Sequence, residues 1–239
     1  MVIPLHDDNP TTRRPVVTIL LIAVNLFVFA FLQPHDGGSA EARFDYEHAA
    51  IPCEISHGTP LTVEEVTTGR CGGLGAQSPE IFSDKNVYLA ALVSIFLHGS
   101  WLHVLGNMLF LWVFGNNVED RLGPIGFLVF YLFVGMVATL GHVAADPGAT
   151  VPLVGASGAI AGVMGACLVF WPRARTSATV GGSGFPATSG ARPAAVATAA
   201  TIAPQPGWRP VAPGNVASTF EARNRAPART AAAVRSMRP

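Results

Sequence analysis

Four apolar runs, each close to the length of a membrane span, constrain what this chain can fold into. They cover about residues 16–32, 101–117, 126–142 and 157–171. A helix needs roughly 20 apolar residues to cross the hydrocarbon core of a bilayer, and about 17 is the lower limit. Half of the residues are hydrophobic, and only 13% are charged. The sequence therefore predicts an all-α membrane protein that crosses the lipid bilayer several times.

Arginines mark one side of the predicted membrane. Arg13 and Arg14 precede the first run, and Arg173 and Arg175 follow the fourth. Because basic residues are enriched in cytoplasmic segments, we expect residues 1–15 and the end of the chain to be cytoplasmic. A signal peptide is the alternative for the first run, but the run is long for one and no small-residue cleavage site follows directly. The expected location is a bacterial plasma membrane.

A long polar segment, residues 33–86, is expected to form a loop on the outer side. Loops of this length are usually functional or structured in their own right. Cys53 and Cys71 lie in it, and they either pair as a disulfide in an oxidising compartment or remain two free thiols. Cys167 lies in the fourth run. The cysteine spacing does not match a metal site, so neither a metal nor another cofactor is expected.

The apolar stretch over residues 87–113 is too long for one straight span. It would measure about 40 Å as a single helix, whereas the hydrocarbon core is about 30 Å thick. The polar cluster His98-Gly99-Ser100 is the natural place for a break. We therefore predict an interfacial segment over residues 87–97 and the start of the second span at about residue 101.

The chain changes character after the fourth run. Residues 1–172 hold six basic and fourteen acidic residues, whereas residues 173–239 hold nine arginines and one glutamate. The second part has no hydrophobic period and is predicted to be a disordered basic tail. Its arginines are dispersed, and Trp208 is its only tryptophan. Because the arginines lack the aromatic interleaving of a stacking surface, the tail does not predict nucleic-acid binding.

A serine flanked by small residues opens the fourth run, in Gly155-Ala156-Ser157-Gly158. Small residues then recur at four-residue spacing in two adjacent stripes, which allows another helix to approach closely. The stripes are Gly158, Gly162 and Ala166, and Ser157, Ala161 and Gly165. Ser157 is either a helix cap or a nucleophile placed at this close contact.

A histidine and an asparagine are expected at the same depth as this serine. His103 and Asn107 are four residues apart, so they share one face of the second span. Because the second and fourth spans both run inward, His103 and Ser157 both lie near the outer surface. Acyl transfer needs a nucleophile, a base and donors for the developing oxyanion. Ser157 suits the first role, and His103 and Asn107 suit the third. Polar groups gathered at one depth argue against a channel or transporter.

Three motifs, in order along the chain, resemble those of rhomboid intramembrane serine proteases. They are the His-x-x-x-Asn helix around His103 and Asn107, Glu119-Asp120-Arg121-Leu122-Gly123, and Gly155-Ala156-Ser157-Gly158. The resemblance covers about residues 10–175. It implies a rhomboid-like bundle with four of the family's six core helices, which form a partial rhomboid domain over residues 16–172. It also implies that Ser157 is the nucleophile, that His103 and Asn107 stabilise the oxyanion, and that transmembrane protein substrates are cut near the outer membrane face.

The chain departs from the family after Trp171. The family's sixth helix packs on the fourth and brings the histidine that activates the serine, but no histidine follows His142 and no apolar run follows Trp171. We therefore expect the general base to be absent, the Gly158 stripe to be partly open, and the chain to be inactive as written. The alternative is a non-catalytic rhomboid-like protein that binds transmembrane helices.

The tail has two competing explanations. Out-of-frame GC-rich codons yield Ala, Arg, Pro, Gly, Ser and Thr, and these residues dominate the sequence from Thr176 onward. A reading-frame change near codon 175 therefore accounts for its composition. The other explanation is a genuine truncated homologue with a basic tail.

Overall fold

The computed structural model describes residues 2–7, 13–35, 37–72, 78–171, 176–180 and 190–191. It divides into two compact units. We call the first the helical unit, which comprises Met1–Gln33, Ala91–Gly141 and Val154–Trp208. We call the second the loop unit, whose described residues lie within Pro34–Ala90 and His142–Leu153. Apart from short strands, the predicted disordered tail lies outside the described residues.

Eight α-helices dominate the described part of the chain. In order they are α1 (Val16–Phe27), α2 (Ser39–His48), α3 (Pro52–His57), α4 (Val63–Thr68), α5 (Val87–Val93), α6 (Trp101–Leu122), α7 (Pro124–Ala145) and α8 (Ser157–Phe170). A π-helical turn over Val28–Leu32 extends α1, and a 3₁₀ turn over Ser94–Phe96 follows α5. The predicted all-α class is confirmed for the body of the protein.

Three short strands form a small antiparallel sheet in the order β1-β2-β3. They are β1 (Val2–Asp7), β2 (Thr176–Val180) and β3 (Gly190–Ala191). Val2 stands opposite Val180, and Asp7 stands opposite Thr176. Composition alone did not predict these strands, although the threonines and the valine of β2 are residues that favour extended structure.

The helical unit is built around α6, which packs against α1 on one side and α8 on another. Its core is a single cluster of buried apolar side chains that includes Leu111, Phe114, Phe127, Tyr131 and Val163. Many large apolar side chains remain on the outside, such as Ile125, which is 82% exposed, and Phe133, which is 65% exposed. A helix with apolar residues on its outward face suits a lipid environment.

Among the described residues, length and composition qualify few helices as membrane spans. Pro124–Ala145 qualifies alone, and Val87–Phe96 with Trp101–Leu122 qualifies as a pair bent by 78°. The bend lies between Phe96 and Trp101, where the sequence predicted a break at His98-Gly99-Ser100. Val16–Leu32 and Ser157–Phe170 are apolar but shorter. The arrangement of four spans therefore stays a prediction.

Glu119 fixes the N-terminal end of α1 against α6. Its carboxylate accepts hydrogen bonds from the backbone N–H of Val17 at 2.9 Å and from the N–H and hydroxyl of Thr18 at 2.7 and 2.8 Å. The first N–H groups of a helix have no partner within it, and Pro15 at the N-cap supplies no side-chain bond. An acidic side chain there also complements the helix dipole. Glu119 is therefore explained by packing within the helical unit.

The Gly158 stripe is not open, contrary to expectation. A Cβ on Gly158 would lie 2.5 Å from Ala138 Cβ, and one on Gly162 would lie 2.6 Å from Val134 Cγ2. The stripe therefore packs against α7 of the same chain. The adjacent stripe is the open one, since Ala161 is exposed and a Cβ on Gly165 would meet nothing within 4 Å. The two stripes are only one residue apart, so spacing alone could not assign them.

The loop unit has its own small core. Ala42, Ile51, Cys53, Leu61 and Val66 are buried together. Cys53 and Cys71 form a disulfide with a sulfur separation of 2.00 Å. The short helix α4 begins with a capping box in which Thr62 and Glu65 exchange hydrogen bonds.

Candidate active site

Ser157 is the first residue of α8, and its side chain is exposed. Ala156 occupies the N-cap position, and no side chain caps the helix. The interpretation of Ser157 as a capping residue is therefore wrong. Among the described residues its hydroxyl has no hydrogen-bond partner, so the oxygen is available at the end of a helix where backbone N–H groups are unsatisfied.

Gly155 brings the serine and the histidine together. Its φ of +126° favours glycine, and its N–H donates to the Ser94 carbonyl at 3.0 Å. A Cβ at this position would stand 2.8 Å from His103 Cε1, 3.0 Å from His103 Nε2 and 3.7 Å from Ser157 Oγ. The imidazole thus fills the space that a side chain would need. The first glycine of the motif is what allows His103 to approach the turn that carries Ser157.

His103 and Asn107 present unused donors on the same side of α6. Ser100 caps α6 and accepts the His103 backbone N–H at 3.1 Å, which fixes the first turn. Within the described part of the chain, His103 Nε2 and Asn107 Nδ2 are buried and have no hydrogen-bond partner. Leaving a buried donor unpaired costs free energy, about 1–3 kcal/mol each. Of the two, His103 Nε2 is the one that approaches the turn carrying the Ser157 hydroxyl, and a donor in that position can stabilise an oxyanion.

Gln33 is a residue next to the site that the sequence analysis did not single out. Its side chain donates to the His98 carbonyl at 3.1 Å and accepts the His98 N–H at 2.9 Å. The His98 ring in turn contacts the His103 ring edge-on, with centroids 5.2 Å apart. Gln33 therefore holds the loop that supports His103. The signal available in the sequence was an amide residue directly after the apolar run over residues 16–32.

No general base is found beside Ser157 in the described side chains of the helical unit. The histidines there are His98 and His103, and neither is hydrogen-bonded to the serine. His142 belongs to the loop unit. The structure thus brings Ser157 and His103 together, places Asn107 on the same helix as His103, and offers no activating histidine in this part of the chain.

Comparison with known proteins finds similarity to rhomboid proteins. The Rhomboid domain matches residues 85–201. Rhomboid-like protein 11, chloroplastic, from Arabidopsis thaliana is 34% identical over 89 residues, which is 37% of this chain and 31% of that protein. The human Presenilin-associated rhomboid-like protein, mitochondrial, is 36% identical over 88 residues, which is 35% of this chain and 23% of that protein.

The matches have a limited extent. The chain spans less than a third of the length of these relatives. No solved structure is a significant match. All three motifs lie within the residues that the Rhomboid domain matches.

Proposed function

We propose, because this chain belongs to the rhomboid family, that Ser157, His103 and Asn107 are the nucleophile and oxyanion donors of an intramembrane serine endopeptidase site. The observation that carries the proposal is the approach of His103 Nε2 and Ser157 Oγ to one point beside Gly155. The proposed substrates are transmembrane proteins, cut near the outer membrane face.

The proposed reaction is acyl transfer. Ser157 Oγ attacks the scissile carbonyl carbon, and its proton passes to a general base. The carbonyl oxygen gains negative charge as the C–O bond forms. A His103 Nε2–H, the Asn107 amide and backbone N–H groups at the start of α8 donate hydrogen bonds to that oxygen. These donors are buried or at a helix end, where they need little reorganisation.

The base is the missing component. The sequence has no histidine after His142, and His103 cannot serve well as both base and oxyanion donor. We propose that a reading-frame change near codon 175 replaced the segment that carried the base. The nucleotide sequence after that codon, translated in the other two frames, tests this proposal directly. A fifth and sixth apolar run with a histidine in the sixth support it.

A non-catalytic role is the second candidate, and a specific observation favours it. Ser157 Oγ has no hydrogen-bond partner among the described residues, and an unactivated serine is a weak nucleophile. On this hypothesis the protein binds transmembrane helices without cutting them. Binding of a transmembrane peptide by the chain, combined with in-frame coding of the tail, distinguishes this role from a damaged protease.

We predict that the N-terminus and the tail are cytoplasmic and that residues 33–86 lie outside. Arg13, Arg14, Arg173 and Arg175 motivate this orientation. Single-cysteine variants Ser83→Cys and Ser218→Cys in intact cells test it with a membrane-impermeant maleimide. Position 83 should be labelled at once, and position 218 only after permeabilisation. Immediate labelling at position 218 contradicts the orientation.

Asn107→Ala should lower kcat more than it alters KM in a chain whose frame has been restored. Loss of one oxyanion donor typically costs about 10²–10³-fold in kcat. We expect the lower end, about 10²-fold, because His103 and the helix N–H groups remain. Steady-state cleavage of a transmembrane substrate in detergent measures both constants.

The matched control is Asn116→Ala, on the same helix but in its last turns. Asn116 accepts the Asn117 N–H at 2.7 Å and contacts no proposed site residue among the described hydrogen bonds. Its kcat should stay within about twofold of the parent value. Equal kcat in the Asn107→Ala variant and the parent would remove Asn107 from the oxyanion site.

A further inference from the structure

Three side chains of metal-binding type meet in the loop unit, apart from the proposed active site. Cys53 and His57 lie four residues apart on α3, and Cys71 follows α4. His57 Nδ1 lies 3.4 Å from Cys71 Sγ and 3.9 Å from Cys53 Sγ. The ligand atoms of all three lie within 4.8 Å of one another. Cysteine spacing did not indicate this group, because it depends on the fold of residues 52–72.

We propose that, when the disulfide is reduced, the thiolates of Cys53 and Cys71 and the imidazole of His57 bind one zinc-like divalent cation. Bonds of about 2.3 Å to sulfur and 2.0–2.1 Å to nitrogen put tetrahedral ligands roughly 3.3–3.8 Å apart. Both sulfur–nitrogen distances are already close to that range. The two sulfurs are the only pair of the three that must separate.

Glu65 supplies a fourth donor. Its Oε1 lies 3.8 Å from Cys53 Sγ and accepts the Gly72 N–H at 2.9 Å, while Oε2 accepts from Thr62. Two sulfurs, one nitrogen and one oxygen form a donor set that suits zinc.

The surrounding backbone holds the donors in place. Cys53 is buried in the apolar cluster of the loop unit, and its N–H donates to the Ala149 carbonyl at 3.0 Å. Gly58 and Gly69 end α3 and α4 in left-handed conformations. In the disulfide form His57 Nδ1 lies 3.0 Å from the Cys53 carbonyl oxygen. To bind a cation it must carry its proton on Nε2 and turn from that carbonyl toward the sulfurs.

Atoms and electrons balance when the disulfide is reduced and the cation binds. A water-soluble phosphine supplies two electrons to the disulfide, water supplies two protons and an oxygen atom, and the products are two thiols and the phosphine oxide. Cation binding then displaces one proton from each thiol. The loop unit thus has two alternative cross-links between the same residues, a disulfide when oxidised and a metal ion when reduced.

Cobalt binding by the full chain tests this proposal. The protein carries Cys167→Ala, which removes the remaining cysteine, and a purification tag without histidine. It is reduced with the phosphine, freed of excess reductant without air and titrated with Co²⁺. We expect one equivalent to bind with the visible absorption of a tetrahedral cobalt–thiolate site, and Zn²⁺ to displace it. The oxidised protein should bind none at the same concentrations.

His57→Gln should weaken Co²⁺ binding at least about tenfold, since even outer-shell changes cost that much at metal sites. It leaves both cysteines intact, so disulfide formation in the oxidised variant reports that the loop unit folds. His48→Gln on α2 is the matched control and should bind like the parent. Absence of Co²⁺ binding by the reduced protein overturns the proposal. So does equal affinity in the His57→Gln variant, or loss of helicity on reduction that Zn²⁺ does not restore.

Discussion

The purified 239-residue chain is expected to cleave transmembrane substrates too slowly to detect. A serine hydroxyl is a weak nucleophile until a base takes its proton, and the structure offers Ser157 no such base in its described part. In soluble serine proteases, loss of a triad member leaves about 10³–10⁴-fold catalysis over water. A residual rate of that size lies below the range of an ordinary gel-based assay with a fluorescent substrate in detergent.

Robust cleavage by this chain would contradict that expectation and indicate another base. His142 would then be the first residue to change, because it is the other histidine predicted near the outer end of a span. His142→Ala should abolish such cleavage if it is the base. His48→Ala, which alters a histidine on α2, is the matched control and should leave it unchanged.

Lys85→Met should destabilise the loop unit by about 3–5 kcal/mol, the usual cost of removing one partner of a buried ion pair. Lys85 Nζ lies 2.6 Å from Glu54 Oε2, and the two side chains are only 2% and 3% exposed. Lys85 also donates to the Tyr46 carbonyl at 2.7 Å. Chemical unfolding in detergent measures the loss of stability, with tryptic cleavage within residues 37–72 as the readout of unfolding.

The loss should grow with pH. Burial raises the pKa of Glu54, and Lys85 opposes that rise. Without Lys85, the pKa of Glu54 in the folded state rises further above the pKa that Glu54 has in the unfolded chain. A carboxyl group whose pKa is higher in the folded state than in the unfolded state stabilises the fold at a pH below its unfolded pKa. This stabilisation is lost as the pH rises through the folded-state pKa. Lys85→Met should therefore be less stable at pH 8 than at pH 5, relative to the parent at each pH.

Two controls separate the ion pair from general damage. Glu54→Gln combined with Lys85→Met removes both charges and should recover much of the lost stability. Arg43→Ala removes a half-exposed partner of Glu47 and should cost at most about 1 kcal/mol. A loss below about 1 kcal/mol for Lys85→Met itself would contradict the role assigned to this pair.

Hydrophobicity and local geometry predicted much of the helical unit. The run over residues 126–142 lies within α7, the fourth run begins at Ser157 as α8 does, and the break before Trp101 is where the chain bends. These features depend on the length of apolar runs and on polar residues that interrupt them. Such signals are local, so they can be recognised in the sequence without knowledge of the tertiary structure.

Features that depend on distant contacts could not be predicted. The partner of Gly158 is Ala138 on α7, and nothing in the spacing of small residues distinguishes that helix from another. Gln33 meets His98 across 65 positions of the chain. Lys85 pairs with Glu54 of α3, and no local pattern in the sequence indicates this ion pair. In each case the tertiary structure decides which polar or small residue finds a partner.

Cleavage by three purified proteins tests whether Ser157 is a nucleophile whose base is missing. The proteins are the 239-residue chain, the chain with its frame restored after about codon 175, and the restored chain with Ser157→Ala. We expect cleavage of a transmembrane substrate by the second protein alone. Cleavage by the restored chain with Ser157→Ala, or an inactive restored chain that folds and binds the substrate, would contradict it.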